Sequence, residues 1–187
     1  MDTVVKVSAD FFALGKPVWP IIETAKGFVD KSHIVRLIRE RQGEPFPVCV
    51  ILGRDDLAAS LRIDRAHMTP ERFGSFFLDF VCASRAEGCD PIGPVFNDLE
   101  NSTGLTQELV ALRTMGFTGS LCVFPNQVKD VNRAFAFVTQ EMRAKYASIR
   151  DALAQASTKG LGWVICDGRK YDTADLAYID FVLSQET

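Results

Sequence analysis

Two runs of apolar residues end in acids. Glu23 closes "VWPII" (18–22), and Asp55 and Asp56 follow "PVCVILGR" (47–54). The runs read as strands buried on both faces, as in parallel sheets. In α/β folds the carboxyl ends of parallel strands are where sites are assembled, because the loops converge there. Carboxylates from neighbouring strands can share one hard cation. Mg²⁺ prefers oxygen ligands, commonly takes one or two protein carboxylates, and leaves its other positions to water and substrate. Glu23 and Asp56 are therefore candidate metal ligands. Local explanations compete with this one: Glu23 could cap the following turn or pair with Lys26, and Asp56 could cap a short helix at "DLAASL". Gly53, just before Arg54 and Asp55, fits a tight turn whose backbone N–H groups face an anion such as a substrate carboxylate, or simply a turn.

The remaining reactive side chains carry less. His33 and His67 are the only histidines, and neither has a Ser or Cys nucleophile at recognisable spacing, so a hydrolase triad finds no support and both read as surface residues. Cys49, Cys82, Cys89, Cys122 and Cys166 are odd in number and show neither CxxC nor a Cys/His spacing that would hold zinc. They read as small buried hydrophobes of a reducing compartment. Lys31, Arg36, Arg39 and Arg41 read as a solvated helix face, with a site for an acidic cofactor tail as the lesser option. Asp172, in "DGRKYD", reads as a turn acid, and "NST" at 101–103 as a chance match to a glycosylation acceptor.

These residues sit in a chain of 187 residues, 47% hydrophobic and 24% charged, long enough for one sizeable core. The 21 basic and 24 acidic residues give a net charge of -3 without a Lys/Arg run or an aromatic-basic stripe, which argues against nucleic acid as a partner. No apolar run approaches the roughly 20 residues that would span a bilayer, and "MDTVVKVSAD" lacks the pattern of a signal peptide. A cytoplasmic location and no membrane partner are the expectation.

Strand-like and helix-like segments alternate through residue 135, which argues for βα units on a parallel sheet. Strands are expected at "VVKV" (4–7), at 18–22, in "PVCVILG" (47–53), in "PIGPVFND" (91–98) and in "GSLCVFP" (119–125). Helices are expected through "SHIVRLIRER" and through "TQELVALRTMG" with Gly116 as its stop, with a short one at Val128, Val131 and Phe135. Between them, Thr69 reads as an N-cap with Pro70 in the first helical position, opening a helix with Phe73, Phe76, Phe77, Phe80 and Val81 on one face. The grammar then changes to a long helix at Met142, Tyr146, Ile149 and Leu153, a strand pair turning at Asp167-Gly168, and a last helix at Leu176, Ile179 and Leu183. The expected division is a body over residues 1–138 and an extension over 139–187.

"PIIETAKG", "LGRDDLAASL", "DLENSTGLTQELVALRTMGFTGSLCVFPNQVKDVNRAF" and "DGRKYD" together resemble the successive signatures of the HpcH/HpaI aldolase and citrate lyase β-subunit family. The likeness runs over nearly the whole chain, and "GFTGSLCVFPNQV" points to the citrate lyase β-like branch that includes malyl-CoA lyases. The resemblance implies a TIM (β/α)₈ barrel of the phosphoenolpyruvate/pyruvate type. It implies Mg²⁺, or Mn²⁺, held by Glu23 and Asp56. It implies a lyase that cleaves or forms a carbon–carbon bond next to a carbonyl of a hydroxy or oxo acid, or its CoA thioester, through a metal-stabilised enolate. Backbone N–H groups at Gly53, Arg54 and Asp55 would hold the acid's carboxylate. Asp172 stands where CoA-dependent members place an acid/base that reaches an adjacent subunit, though "KYDTA" departs from the family's apolar residue and proline there. Phe124 replaces the histidine of the family's "HPxQ" block.

"VVKV" resembles a strand about halfway round the barrel. The segment where the family places a substrate-binding arginine lies before it. A (β/α)₈ barrel typically needs about 250 residues, so the expectation is a partial barrel of about strands four to eight plus a C-terminal helical extension. Its open edges call for a longer protein, a second chain that completes the barrel, or a homo-oligomer. A catalytically inactive truncated homologue or binding subunit is the alternative to an active lyase, and a pyruvate-type class II aldolase is a weaker third reading.

Overall fold

A computed structural model describes residues 16–42, 48–136 and 138–185, so the strand expected at Val4–Val7 lies outside the described residues. The chain divides into two compact units, Met1–Phe135 and Ala136–Thr187. The first contains β1 (Ile21–Ile22), α1 (Ala25–Val29), α2 (Lys31–Gln42), β2 (Cys49–Leu52), α3 (Arg54–Ser60), α4 (Gly74–Ala86), β3 (Asp90–Gly93), α5 (Ser102–Thr114), β4 (Gly119–Ser120) and α6 (Pro125–Phe135). The second contains α7 (Gln140–Thr158), β5 (Trp163–Cys166), β6 (Arg169–Asp172) and α8 (Leu176–Ser184).

In the first unit the four strands among the described residues are all parallel and lie in the order β1-β2-β3-β4, each next to its successor in the chain. Parallel crossovers are right-handed almost without exception, so a strand order without reversal puts the connecting helices on one face. Burial agrees. Ile22, Val50 and Leu52 point into a core with Val35 and Ile38 of α2, Phe77, Phe80 and Val81 of α4, and Leu112 of α5. The other face carries a lateral row in which Ile21 pairs with Ile51 and Ile51 with Ile92. Ile21, at the edge of this row, is 48% exposed.

α4 begins later than the sequence pattern implies. Thr69 and Pro70 open a separate turn, in which the Arg72 and Phe73 N–H groups donate to Thr69 O, and the helix starts at Gly74 after Phe73 takes a non-helical φ of -117. Its buried face is nevertheless the expected one, with the Phe77 and Phe80 rings 6.2 and 6.0 Å from that of Phe117. Lys31 also departs from expectation. It is 8% exposed, pairs with Asp79 at 2.8 Å, and lies 4.2 Å from the Phe28 ring centroid. Its aliphatic stem packs while its ammonium finds a carboxylate, so it is not part of a solvated face. Arg36 joins Glu87 at 2.6 Å and Arg39 donates to Gly88 O at 3.0 Å, fastening α2 to the end of α4.

The strand expected at 119–125 pairs only at Gly119–Ser120, because Val123 and Phe124 give their N–H groups to the Gln127 side chain at the start of α6. Gly116, at φ +98, terminates α5 as expected. In the second unit β5 and β6 form an antiparallel hairpin through Asp167 and Gly168, both at positive φ (51 and 75), as a two-residue primed turn requires. Its core is Ile149, Leu153, Tyr171 and Ile179. Among the described residues no helix is long and apolar enough to cross a membrane.

Candidate functional site

The register that pairs Ile22 with Leu52 sets Glu23 beside Gly53, whose N–H donates to Ile22 O at 2.9 Å. A Cβ at position 53 would meet Glu23 Cβ at 2.5 Å, Ile21 Cγ2 at 3.0 Å and Glu23 Oε2 at 3.2 Å. Gly53 has φ -86, which any residue adopts, so the glycine answers to lack of room and not to backbone conformation. It also N-caps α3 without a side-chain hydrogen bond, which leaves the first-turn N–H groups of that helix without intrahelical acceptors. Since the N–H of Gly53 itself is used by the sheet, an anion there would meet the N–H groups of the residues that follow.

The local explanations for the two acids do not hold. Thr24 caps α1, its Oγ1 accepting from Gly27 N at 3.0 Å, and Lys26 is spent on Asp30 at 2.8 Å. Asp56 lies inside the first turn of α3, which Gly53 caps. Among the described residues the carboxylates of Glu23 and Asp56 make no hydrogen bond or ion pair. Glu23 is half-buried and Asp56 exposed. At 1.5 Å of rise per residue Asp56 lies about 4.5 Å along the helix axis from Gly53. One glycine turn thus carries two uncommitted carboxylates, one from the end of β1 and one from the helix that follows β2. No group of three His, Cys, Asp or Glu assembles among the described residues.

Arg54 and Asp55 are committed to the protein. Arg54 is 7% exposed and turned inward, with Nη1 donating to Glu108 Oε2 at 2.7 Å and Nη2 to Val95 O at 2.6 Å. Its guanidinium is therefore held by acceptors of the protein itself. Burial pushes the Glu108 carboxyl above its ordinary range, against the opposing pull of Arg54. Asp55 accepts a hydrogen bond from Asn97 Nδ2 and lies 3.5 Å from Arg65 Nη1. These residues border a cavity of about 430 Å³, lined by Arg54, Asp55, Arg65, Asn97 and Glu108 among others; neither Glu23 nor Asp56 lines it.

Glu108 is not among the residues that the motifs mark, yet the sequence carries a signal for it. It occupies the i+3 slot of the stripe Leu105, Leu109 and Leu112, an acid on an apolar face that must have a buried partner. In the "FPNQV" block Phe124 is 46% exposed, and the buried Gln127 holds the loop. Its Oε1 accepts from Val123 N at 2.9 Å and Phe124 N at 3.3 Å, and its Nε2 donates to Phe96 O at 2.8 Å. Asp172, in the second unit, forms a capping box. Its Oδ1 accepts from Ala174 N at 2.9 Å, its N–H donates to Asp175 Oδ2 at 2.9 Å, and Lys170 Nζ sits 3.0 Å from Oδ2. The Ala174 hydrogen bond first, and Lys170 second, hold its carboxyl below the ordinary range. His33 and His67 are exposed, as expected. Cys89 is buried and Cys82 exposed, with the other three cysteines between, so the cysteines are not uniformly core residues.

No protein-family model matches the chain. It is 27% identical over 155 residues to a (3S)-malyl-CoA thioesterase of Cereibacter sphaeroides, an alignment covering 82% of this chain and 50% of that protein. It is 27% identical over 138 residues to the citrate lyase β subunit of Escherichia coli, covering 73% and 44%. The chain thus spans about half the length of the curated relatives it matches. Among solved structures, a citrate lyase from Burkholderia xenovorans superposes with a TM-score of 0.75 at 19% identity, covering 97% of this chain and 57% of that one. The CitE protein of Mycobacterium tuberculosis, solved with magnesium, acetoacetate and coenzyme A, superposes with a TM-score of 0.65 at 21% identity, covering 90% and 60%. The structures share the fold, and the relatives bear out the resemblance to the citrate lyase β-subunit group of HpcH/HpaI proteins that the motifs carry.

Proposed function

We propose that this chain is part of a Mg²⁺-dependent enzyme that cleaves or forms a carbon–carbon bond next to a carbonyl of a hydroxy acid or its CoA thioester. The observation that carries this reading is the pair of carboxylates, Glu23 and Asp56, on either side of the Gly53 turn, neither with a partner among the described residues. Their chemistry fits the ion: both donors are hard oxygens, and two protein carboxylates are a number Mg²⁺ commonly accepts. Mn²⁺ suits the same donors. When bound, the metal would supply Lewis-acid polarisation of a carbonyl oxygen on which negative charge develops. Glu23 and Asp56 hold it. Gly53 leaves room beside Glu23, and the N–H groups of Arg54 and Asp55 orient a substrate carboxylate at the start of α3. Asp172 is the candidate acid/base, contributed from a neighbouring subunit through Oδ2, the oxygen that its cap on Ala174 does not use.

We read the sheet as an arc of a (β/α)₈ barrel. Its strand order without reversal, its helices on one face and its apolar row on the other all support this reading. The relatives are about twice as long, so the rest of the barrel would come from other residues of a longer protein or from another chain. Thioester hydrolysis is the second reading, supported by the 27% identity to a malyl-CoA thioesterase. An inactive homologue that keeps the metal is the third, supported by the half-length match. A reducing, cytoplasmic setting agrees with five cysteines that form no disulfide.

Titration of Mn²⁺ into the wild type, Glu23→Gln and Asp56→Asn tests the site, with binding expected only for the wild type. Incubation with CoA thioesters of hydroxy acids separates the activities. Release of an oxo acid together with an acyl-CoA means lyase, release of free CoA and the intact hydroxy acid means thioesterase, and metal binding without turnover supports the inactive homologue.

A further inference from the structure

We propose that Arg54 is a positioning residue, whose guanidinium, clamped between Glu108 and Val95 O, fixes the first turn of α3 and so sets the direction of Asp56. This rests on the metal reading above and goes beyond it by naming what holds the site in shape.

Consecutive residues of that turn are anchored to different elements. Arg54 reaches Glu108 of α5 at 2.7 Å and the Val95 carbonyl, in the segment after β3, at 2.6 Å. Asp55 takes a hydrogen bond from Asn97 in the same segment and faces Arg65 at 3.5 Å. Asp56, the next residue, has no partner among the described residues. In a helix the Cβ direction at one position follows from the backbone of its neighbours, so two anchored residues fix where the third points.

The clamp suits direction better than stability. Replacing a buried ion pair by apolar residues of similar volume is often neutral or stabilising. A planar guanidinium with two Nη groups on two fixed acceptors, however, leaves its helix little freedom to roll. Both acceptors are within the first unit, and the pair is almost fully enclosed, with 8% and 10% of the two side chains exposed. Arg54 Nε, buried without a hydrogen bond and 3.7 Å from Asp55 Oδ1, adds a cationic edge behind the carboxylate that Asn97 and Arg65 hold.

The test compares the wild type with Arg54→Met/Glu108→Leu by thermal melting and by Mn²⁺ titration read from the free-ion EPR signal. The apolar pair is expected to keep the melting temperature while Mn²⁺ affinity falls about tenfold or more, the scale on which residues that orient metal ligands act. Arg54→Lys serves if the double variant melts early: it keeps a charge for Glu108 but cannot fork to Val95 O, and the same loss is expected. Wild-type affinity in a folded double variant, or in Arg54→Lys, overturns the proposal while leaving the metal site standing. A wild type that binds no Mn²⁺ overturns the metal reading, and this inference with it.

Discussion

Gly53→Ala is the sharpest perturbation the structure offers. The added Cβ would lie 2.5 Å from Glu23 Cβ, just past the end of β1, and 3.0 Å from Ile21 Cγ2 within it, where ordinary carbon contacts are about 3.5–4.0 Å. The overlap is roughly 1 Å against groups fixed by the β1–β2 ladder, and overpacking of that kind costs about 1–3 kcal/mol. Loss of glycine as N-cap of α3 adds up to about 1 kcal/mol, since alanine is a much poorer cap. The sum is roughly 1–4 kcal/mol, a large part of the ~5–15 kcal/mol that stabilises an ordinary domain. Relief by displacement of Glu23 would move a proposed ligand, so Mn²⁺ binding should weaken as well. Gly162→Ala is the control: no atom lies within 4 Å of its added Cβ and its φ is not positive, so it should be neutral or slightly stabilising. Urea unfolding gives the stability of each variant. Gly53→Ala within about 0.5 kcal/mol of the wild type, with unchanged Mn²⁺ affinity, would refute the argument that the turn is closed against Glu23.

Asp172→Asn should keep the cap on Ala174, since asparagine caps as well as aspartate, while lowering turnover about 10²- to 10⁴-fold if the carboxyl is an acid/base; unchanged turnover in an active assembly would end that role. Because its folded carboxyl titrates below the ordinary 3.8, the stabilisation from this cap is complete above that value and fades as pH falls through the lower folded one, a step that far-UV circular dichroism should show and that Asp172→Asn should lack. Iodoacetamide at pH 8 should modify exposed Cys82 well before Cys49, whose thiol burial pushes up to about 11, and before buried Cys89; peptide mapping that finds Cys49 first would contradict the packing around β2.

The sequence pattern located β2, the phenylalanine face of α4, the stop at Gly116 and the Asp167-Gly168 hairpin, since in each the determinant is local: apolar periodicity, or a backbone conformation that favours glycine. It missed what long-range partners decide. Thr69-Pro70 carries a good helix-start signal, but Phe73 leaves helical geometry and the turn stands alone. Lys31 looks like any helix-face lysine until Asp79, 48 residues away, removes it from solvent. The two acids are legible because they end apolar runs. For Glu23 the structure removes the local alternatives, with Thr24 taking the cap and Asp30 taking Lys26, and for Asp56 it gives the cap to Gly53.

The four letters "GRDD" show why position within one helical turn matters more than residue type. Successive residues of a helix point about 100° apart, so Arg54, Asp55 and Asp56 meet different surroundings. Arg54 turns inward to Glu108, Asp55 turns sideways to Asn97 and Arg65, and Asp56 is left without a partner among the described residues. The two aspartates are therefore not interchangeable. Neutralising Asp55 removes an anchor and leaves Arg65 and the Arg54 Nε edge without their carboxylate, whereas neutralising Asp56 removes the proposed donor and disturbs no contact among the described residues. Asp56→Asn should thus abolish Mn²⁺ binding at unchanged stability, and Asp55→Asn should weaken binding and lower stability together. The reverse pattern would mean that Asp55, not Asp56, faces the metal.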